Sequence, residues 1–137
     1  MISAIEIGAM GLSVQRLRLS VIANNIANAN TTRTPQGGPF RRQVVVVESV
    51  GGNSPLGGAE GMGVRVKEVR PDSTPLRSVY DPGNPEAGPD GYVLYPNVQV
   101  PVEMIDLVAA SRAYEANLAV ISSTKQMISR SLDIIRD

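Results

Sequence analysis

The chain has no cysteine, no histidine and no tryptophan. Without cysteine there is no disulfide, no thiolate nucleophile and no sulfur-based metal site. Without histidine the commonest acid–base group and metal ligand is missing as well. Aromatic residues make up only 4% of the sequence, and Phe40 is the one phenylalanine. Aromatic side chains carry much of an ordinary core's buried area, so a large self-contained core is not expected and burial must come from Val, Ile, Leu and Ala. An excess of charge is missing too, since Lys plus Arg and Asp plus Glu number 13 each. That balance excludes the basic footprint of a nucleic-acid binder, and no basic run exceeds Arg41-Arg42. It also leaves little self-repulsion, which favours association. No stretch approaches the roughly 18 uncharged apolar residues that cross a bilayer, so no direct membrane insertion is expected. The apolar N-terminus does not read as a secretory signal: its first positive side chain is Arg16, and Glu6 interrupts the apolar run.

What the chain does have is a division into three parts within the length of one domain, 137 residues. All ten prolines fall between Pro35 and Pro101, and eleven of the 13 glycines fall between Gly37 and Gly91. The expected fold class is α+β: long N- and C-terminal helices packed as a coiled-coil-like pair, with a small β-rich, Pro/Gly-rich middle region. The expected divisions are residues 1–30, 31–101 and 102–137.

The first helix is expected over Ser3–Ala29. Ile5, Leu12, Leu19 and Ile26 recur every seven residues on one stripe, and Ile7, Val14 and Val21 form a second. At about 100° per residue these stripes lie on different sides, so the helix calls for more than one partner. The last helix is expected over Val102–Ile135, with the stripe Leu107, Tyr114, Ile121, Ile128 and Ile135 flanked by Ala113, Val120, Met127 and Ile134. Heptads sustained over this length argue for coiled-coil-like packing. Between the helices, Phe40–Val50 and Gly63–Val69 are β-rich runs joined by a Gly/Pro-rich loop, and Leu76–Tyr80 and Tyr92–Tyr95 are shorter candidates.

"ANNIANANTT", at residues 23–32, is the oddest stretch. Asparagine competes for backbone groups and disfavours helix, yet Ile26 stays in step with Leu19 and Leu12. Asn24 and Asn28 share a side, while Asn25 faces elsewhere. Each amide offers two donors and an acceptor. The expectation is a polar lock that sets register at a packed subunit interface, with the helix stopping at Asn30–Pro35.

Catalytic and ligand motifs fail. Ser122–Lys125 matches S-x-x-K but has no companion motifs and sits on a helix face. Asp81–Gly91 is acidic, yet Gly83, Pro85 and Tyr92 occupy positions that a calcium loop gives to oxygen ligands. Asn30-Thr31-Thr32 fits a glycan acceptor, but nothing marks this chain for the secretory route. No enzyme and no cofactor is expected. Leaving several helix stripes exposed would be costly at about 25 cal/mol per Å², so association is the expected function. A helical hairpin stable by itself is the plainer alternative.

The motifs then point to a family. "LRLSVIANNIANANTTRT" resembles the N-terminal signature of bacterial flagellar rod and hook axial proteins. "GGPFRRQVVV", "YDPGNPEAGPDGYVLYPNVQVPVEM" and "ASRAYEANLAVISSTKQMISRSL" resemble the C-type proximal rod subunits of the flagellar basal body. The resemblance covers nearly the whole chain apart from Ser49–Glu60. It implies a structural subunit of the rod, the drive shaft that carries torque from motor to hook across the periplasm. It implies partners that are other rod proteins and copies of itself. It also implies export through the flagellar export apparatus without a cleaved signal, which suits a chain lacking cysteine. The residues expected at subunit interfaces are Ile5, Leu12, Leu19, Asn24, Asn25, Ile26, Asn28, Leu107, Tyr114, Ile121 and Ile128. A soluble helical adaptor or chaperone of the export machinery is the alternative function.

Overall fold

A computed structural model describes residues 2–51 and 63–136. Two long helices, α1 (Ile2–Ala27) and α2 (Val100–Arg136), bracket four short strands: β1 (Gln43–Val50), β2 (Gly63–Pro71), β3 (Arg77–Tyr80) and β4 (Tyr92–Tyr95). The architecture is α+β, as the composition led us to expect. α1 packs along α2 on one side and carries the β1–β2 hairpin on another. α1 therefore has two intramolecular partners, α2 and the hairpin.

α2 starts two residues earlier than expected and takes Pro101 into its first turn. Proline is well placed there, because the amide hydrogens of a first turn have no intrahelical acceptor. At 37 residues it is about 56 Å long. α1 stops at Ala27, short of the expected Ala29, and residues 28–30 form a turn. The cause is Asn28: its Nδ2 donates to the Asn24 carbonyl (2.9 Å) and to Asn24 Oδ1 (3.0 Å), and its Oδ1 accepts from the Thr31 hydroxyl (3.1 Å). An amide that takes backbone acceptors in this way ends a helix rather than extending it.

β1 is a β-branched run and pairs antiparallel with β2, from Gln43↔Pro71 to Val50↔Gly63. The register slips between Val46 and Val47, so Lys67 is an extra residue on β2 and bends the ribbon. The long loop expected to join these strands lies, from residue 52 to 62, outside the described residues. β3 and β4 form a second antiparallel pair, from Arg77↔Tyr95 to Tyr80↔Tyr92. The segment between them is a chain of turns, closed by Asp81 N–H donating to the Gly91 carbonyl (2.9 Å) with Gly91 at φ 80°. Tyr80 and Tyr92 meet edge to face at 5.2 Å. Among the described residues the buried hydrophobic side chains are Val14 and Ile22 on α1, Ala29 just beyond it, Val93 and Val98 around β4, and Ala110 on α2.

Candidate functional site

The face of α1 that meets α2 is made largely of small and polar residues, and the facing seam of α2 alternates such residues with large apolar ones. On α2 the seam runs Glu103, Leu107, Ala110, Tyr114, Asn117, Ile121, Thr124 and Ile128, alternating steps of four and three, and all are buried or half-buried. On α1 the matching seam includes Gly8, Gly11, Ile22 and Asn25, all buried. The helices run antiparallel, so Gly8 lies against Ile121 and Gly11 against Asn117. A Cβ on Gly8 would sit 2.8 Å from Ile121 Cγ1, and one on Gly11 2.8 Å from Asn117 Oδ1. Glycine here permits a close approach that any side chain would obstruct.

At the other end of the pair the seam turns polar. Asn25, 1% exposed, donates from Nδ2 to the Gln43 carbonyl (2.9 Å) and to Glu103 Oε2 (3.1 Å). Its Oδ1 accepts from Gln43 N–H (2.9 Å). One amide thus clamps both backbone groups at the start of β1 and also holds a carboxylate from α2. Glu103 is fully buried, and Arg42 Nε donates to its Oε1. The same guanidinium reaches Asp72 Oδ2 (3.1 Å) and Asp106 Oδ2 (3.3 Å). Asn97 closes the network, accepting from Arg42 N–H (2.8 Å) and donating to the Thr74 carbonyl (3.0 Å).

Burial alone would lower the pKa of Arg42, but the hydrogen bonds and charges of Glu103 and Asp72 outweigh it and raise the value above the ordinary one. Asp72 is held down to about 2, first by the Thr74 hydroxyl (2.5 Å) and backbone N–H (3.0 Å), with Arg42 adding to them. A buried carboxylate without such partners would be strongly unfavourable. The first turn of α2 adds the favourable end of a helix dipole beneath Glu103. The hub therefore fixes four elements at one point: the end of α1, the start of β1, the end of β2 and the start of α2.

The residues expected at subunit interfaces divide sharply. Leu107, Tyr114, Ile121 and Ile128 are half-buried in the seam against α1. Ile5, Leu12, Leu19 and Ile26 are half-buried on one flank of α1. Asn24 is exposed and Asn28 half-buried, tied to each other, whereas the amide of Asn25 is engaged within its own chain. Arg42, Asp72, Asn97, Glu103 and Asp106 were not anticipated. Their only local signal is an acidic residue in a helix's first turn.

On the flanking stripe of α2, Val120 is 51% exposed, Met127 60% and Ile134 78%. Met104, Ile105 and Val108 are exposed nearer the start of the helix. A groove of about 330 Å³ lies between α1, β1 and α2, lined in part by Gln15, Val21, Val44, Val45, Ala109 and Ala113. Among the described residues no group of His, Cys, Asp or Glu is placed to hold a metal ion, and no helix is long and apolar enough to cross a membrane.

Comparison with known proteins agrees with this architecture at both ends. Residues 5–33 match the family described as "Flagella basal body rod protein", and residues 90–134 match "Flagellar basal body rod FlgEFG protein C-terminal". The flagellar basal-body rod protein FlgC of Borreliella burgdorferi is 44% identical, over 98% of this chain and 97% of its own length. Its namesakes in Yersinia enterocolitica and Bacillus subtilis are 40% and 38% identical, over 98% and 96% of this chain and 97% and 95% of theirs. The chain belongs to the flagellar basal-body rod protein family.

Proposed function

We propose that this chain is a structural subunit of the flagellar basal-body rod, polymerising with copies of itself and with other rod proteins into the tubular shaft that transmits torque for motility. The observation that carries the proposal is the division of apolar surface on α2. One stripe is consumed against α1, while Val120, Met127 and Ile134 are exposed along the same helix, uncovered among the described residues. Removing such a stripe from water stabilises an assembly by about 25 cal/mol per Å², and a lone chain leaves it wet. The relatives named as rod proteins match from one end of the chain to the other.

In this reading the shaft spans the periplasm, and the subunit reaches it through the flagellar export apparatus as an unfolded chain. The outward halves of Ile5, Leu12, Leu19 and Ile26 face neighbours, together with Asn24 and Asn28. Leu107, Tyr114, Ile121 and Ile128 act by holding α1 in register. The subunit works by contact alone, without catalysis. Deleting the gene should abolish swimming and leave basal bodies without a complete rod, and normal swimming in the deletion strain would refute the proposal. An adaptor or export chaperone would instead stay in the cytoplasm and be absent from purified basal bodies.

A further inference from the structure

The chain carries five methionines and no cysteine, so thioethers hold all of its sulfur and are its readiest target for a two-electron oxidant. Three of the five are among the described residues, and all three reach solvent: Met10 is 39% exposed, Met104 56% and Met127 60%. Met10 differs from the other two in what it touches. Its Sδ, Cε and Cγ lie over Gly63, around the position a Cβ there would take, with Cε 3.5 Å and Cγ 3.9 Å from that point and Sδ nearer still. Gly63 opens β2 and pairs with Val50, the last residue of β1. The thioether therefore rests on the far end of the β1–β2 hairpin.

The hairpin is fastened to α1 at two places, and the spacings agree. Asn25 holds Gln43, at the near end, by two hydrogen bonds. Met10 lies 15 residues before Asn25, about 22 Å along the helix. From Gln43 to Val50 the strand takes seven steps, about 23 Å. One end is thus held by directional hydrogen bonds and the other by a soft apolar contact on a residue without a side chain. Val14, 3% exposed, is four residues from Met10 on the same side of α1, so the thioether stands at the rim of buried apolar surface. A sulfoxide there puts a strongly polar oxygen, which needs a hydrogen-bond donor, into a space fitted to a thioether.

We infer that Met10 is a reversible oxidation site whose sulfoxide releases the far end of the β1–β2 hairpin from α1 while Asn25 keeps the near end. The oxidant is a peroxide. The Met10 sulfur gives an electron pair to one peroxide oxygen, the O–O bond breaks as the S–O bond forms, and the other oxygen takes the proton and leaves as water. Sulfur is oxidised by two electrons and the peroxide is reduced by two. Methionine sulfoxide reductases reverse the step with a dithiol, which becomes a disulfide as the oxygen leaves as water. The inference concerns the single folded chain and does not depend on the rod-subunit reading.

Hydrogen exchange of the purified full-length chain, read by mass spectrometry before and after hydrogen peroxide, tests it. Peroxide should add one oxygen to Met10, and the amides of residues 47–50 and 64–66 should then exchange about tenfold faster or more. Those of Val44 and Val45 should keep their rates. The two reductases, one for each sulfoxide epimer, should restore slow exchange. Met10→Leu keeps an apolar side chain and the other four methionines, so its hairpin should not respond to peroxide. Met10→Gln, polar without any oxidant, should exchange fast at the far end from the outset. Four results each overturn the inference: Met10 unoxidised by peroxide that converts Met104 and Met127, a converted Met10 with unchanged exchange, Met10→Leu responding like the native chain, or Met10→Gln exchanging as slowly as the untreated native chain.

Discussion

Arg42 and Glu103, 61 residues apart in sequence, form an ion pair in which the carboxylate is completely buried. Neither residue belongs to a hydrophobic stripe, yet together they join the β1–β2 hairpin to the start of α2. Removing one partner strands the other. Arg42→Ala should therefore destabilise the chain by about 3–5 kcal/mol. Replacing both, as Arg42→Met with Glu103→Met, should cost less than the sum of the two single changes. Urea unfolding of the four proteins tests this, and a wild-type midpoint for Arg42→Ala would show the pair to be energetically idle.

Asn25 and its neighbour Asn24 should behave oppositely. Asn25→Ala leaves Gln43 N–H and C=O without their partner inside the fold, at a cost of about 2–4 kcal/mol. Asn24→Leu, at an exposed site, should change stability by no more than about 0.5 kcal/mol. Any effect of Asn24→Leu together with Asn28→Leu should then be read in rod assembly. Thermal melts of the variants, scored beside swimming in soft agar, separate the two roles.

Gly11 faces the Asn117 side chain where the helices approach. In an exposed helix Gly→Ala is worth roughly 1 kcal/mol in favour of alanine. Here the added Cβ must displace Asn117, so Gly11→Ala should gain little or nothing. Gly11→Leu should cost about 1–3 kcal/mol by forcing the helices apart. A leucine variant that melts with the native protein would mean the helices can separate without penalty.

Asp72 sets an acid limit. Its pKa falls from the ordinary 3.8 to about 2 in the folded chain. The unfolded chain therefore binds more protons in that interval, and stability rises with pH across it. The contribution is complete above about pH 4 and is lost as pH falls toward 2. Asp72→Asn should remove this part of the acid dependence while lowering stability at neutral pH. Unfolding free energies measured from pH 2 to 6 would show parallel curves for the two proteins if Asp72 played no part.

Ile121 and Met127 separate folding from assembly. Ile121 touches Gly8 of its own chain, so Ile121→Asp should disturb the helix pair before any neighbour is involved. Met127 is 60% exposed, and Met127→Asp should leave the melting curve nearly unchanged while preventing rod assembly and swimming. Motile cells carrying Met127→Asp would remove that stripe from the list of contacts.

Local chemistry in the sequence determined the elements of this protein. Heptads such as Leu107, Tyr114 and Ile121 mark a long helix because side chains seven apart return to one face. The valine run of β1 and the clustering of proline and glycine between the helices are equally local signals. The motifs at both ends were distinctive enough to mark the family. Which helix faces meet was decided only in three dimensions. The stripes of α1 flank the seam rather than form it, and Gly8 and Gly11, which carry no hydrophobic signal, take the closest contact. The expected continuation of α1 through its asparagines gave way at Ala27, because Asn28 found acceptors on Asn24 and a donor in Thr31. The hub of Asn25, Arg42 and Glu103 left almost no trace in the sequence. Its members are polar residues scattered over 78 positions, and their pairing follows from the antiparallel approach of two helices that brings the ends together. Periodicity reports which side of an element avoids water. The partner that covers it, and the polar groups that must be satisfied there, depend on chain ends far apart in sequence and adjacent in space.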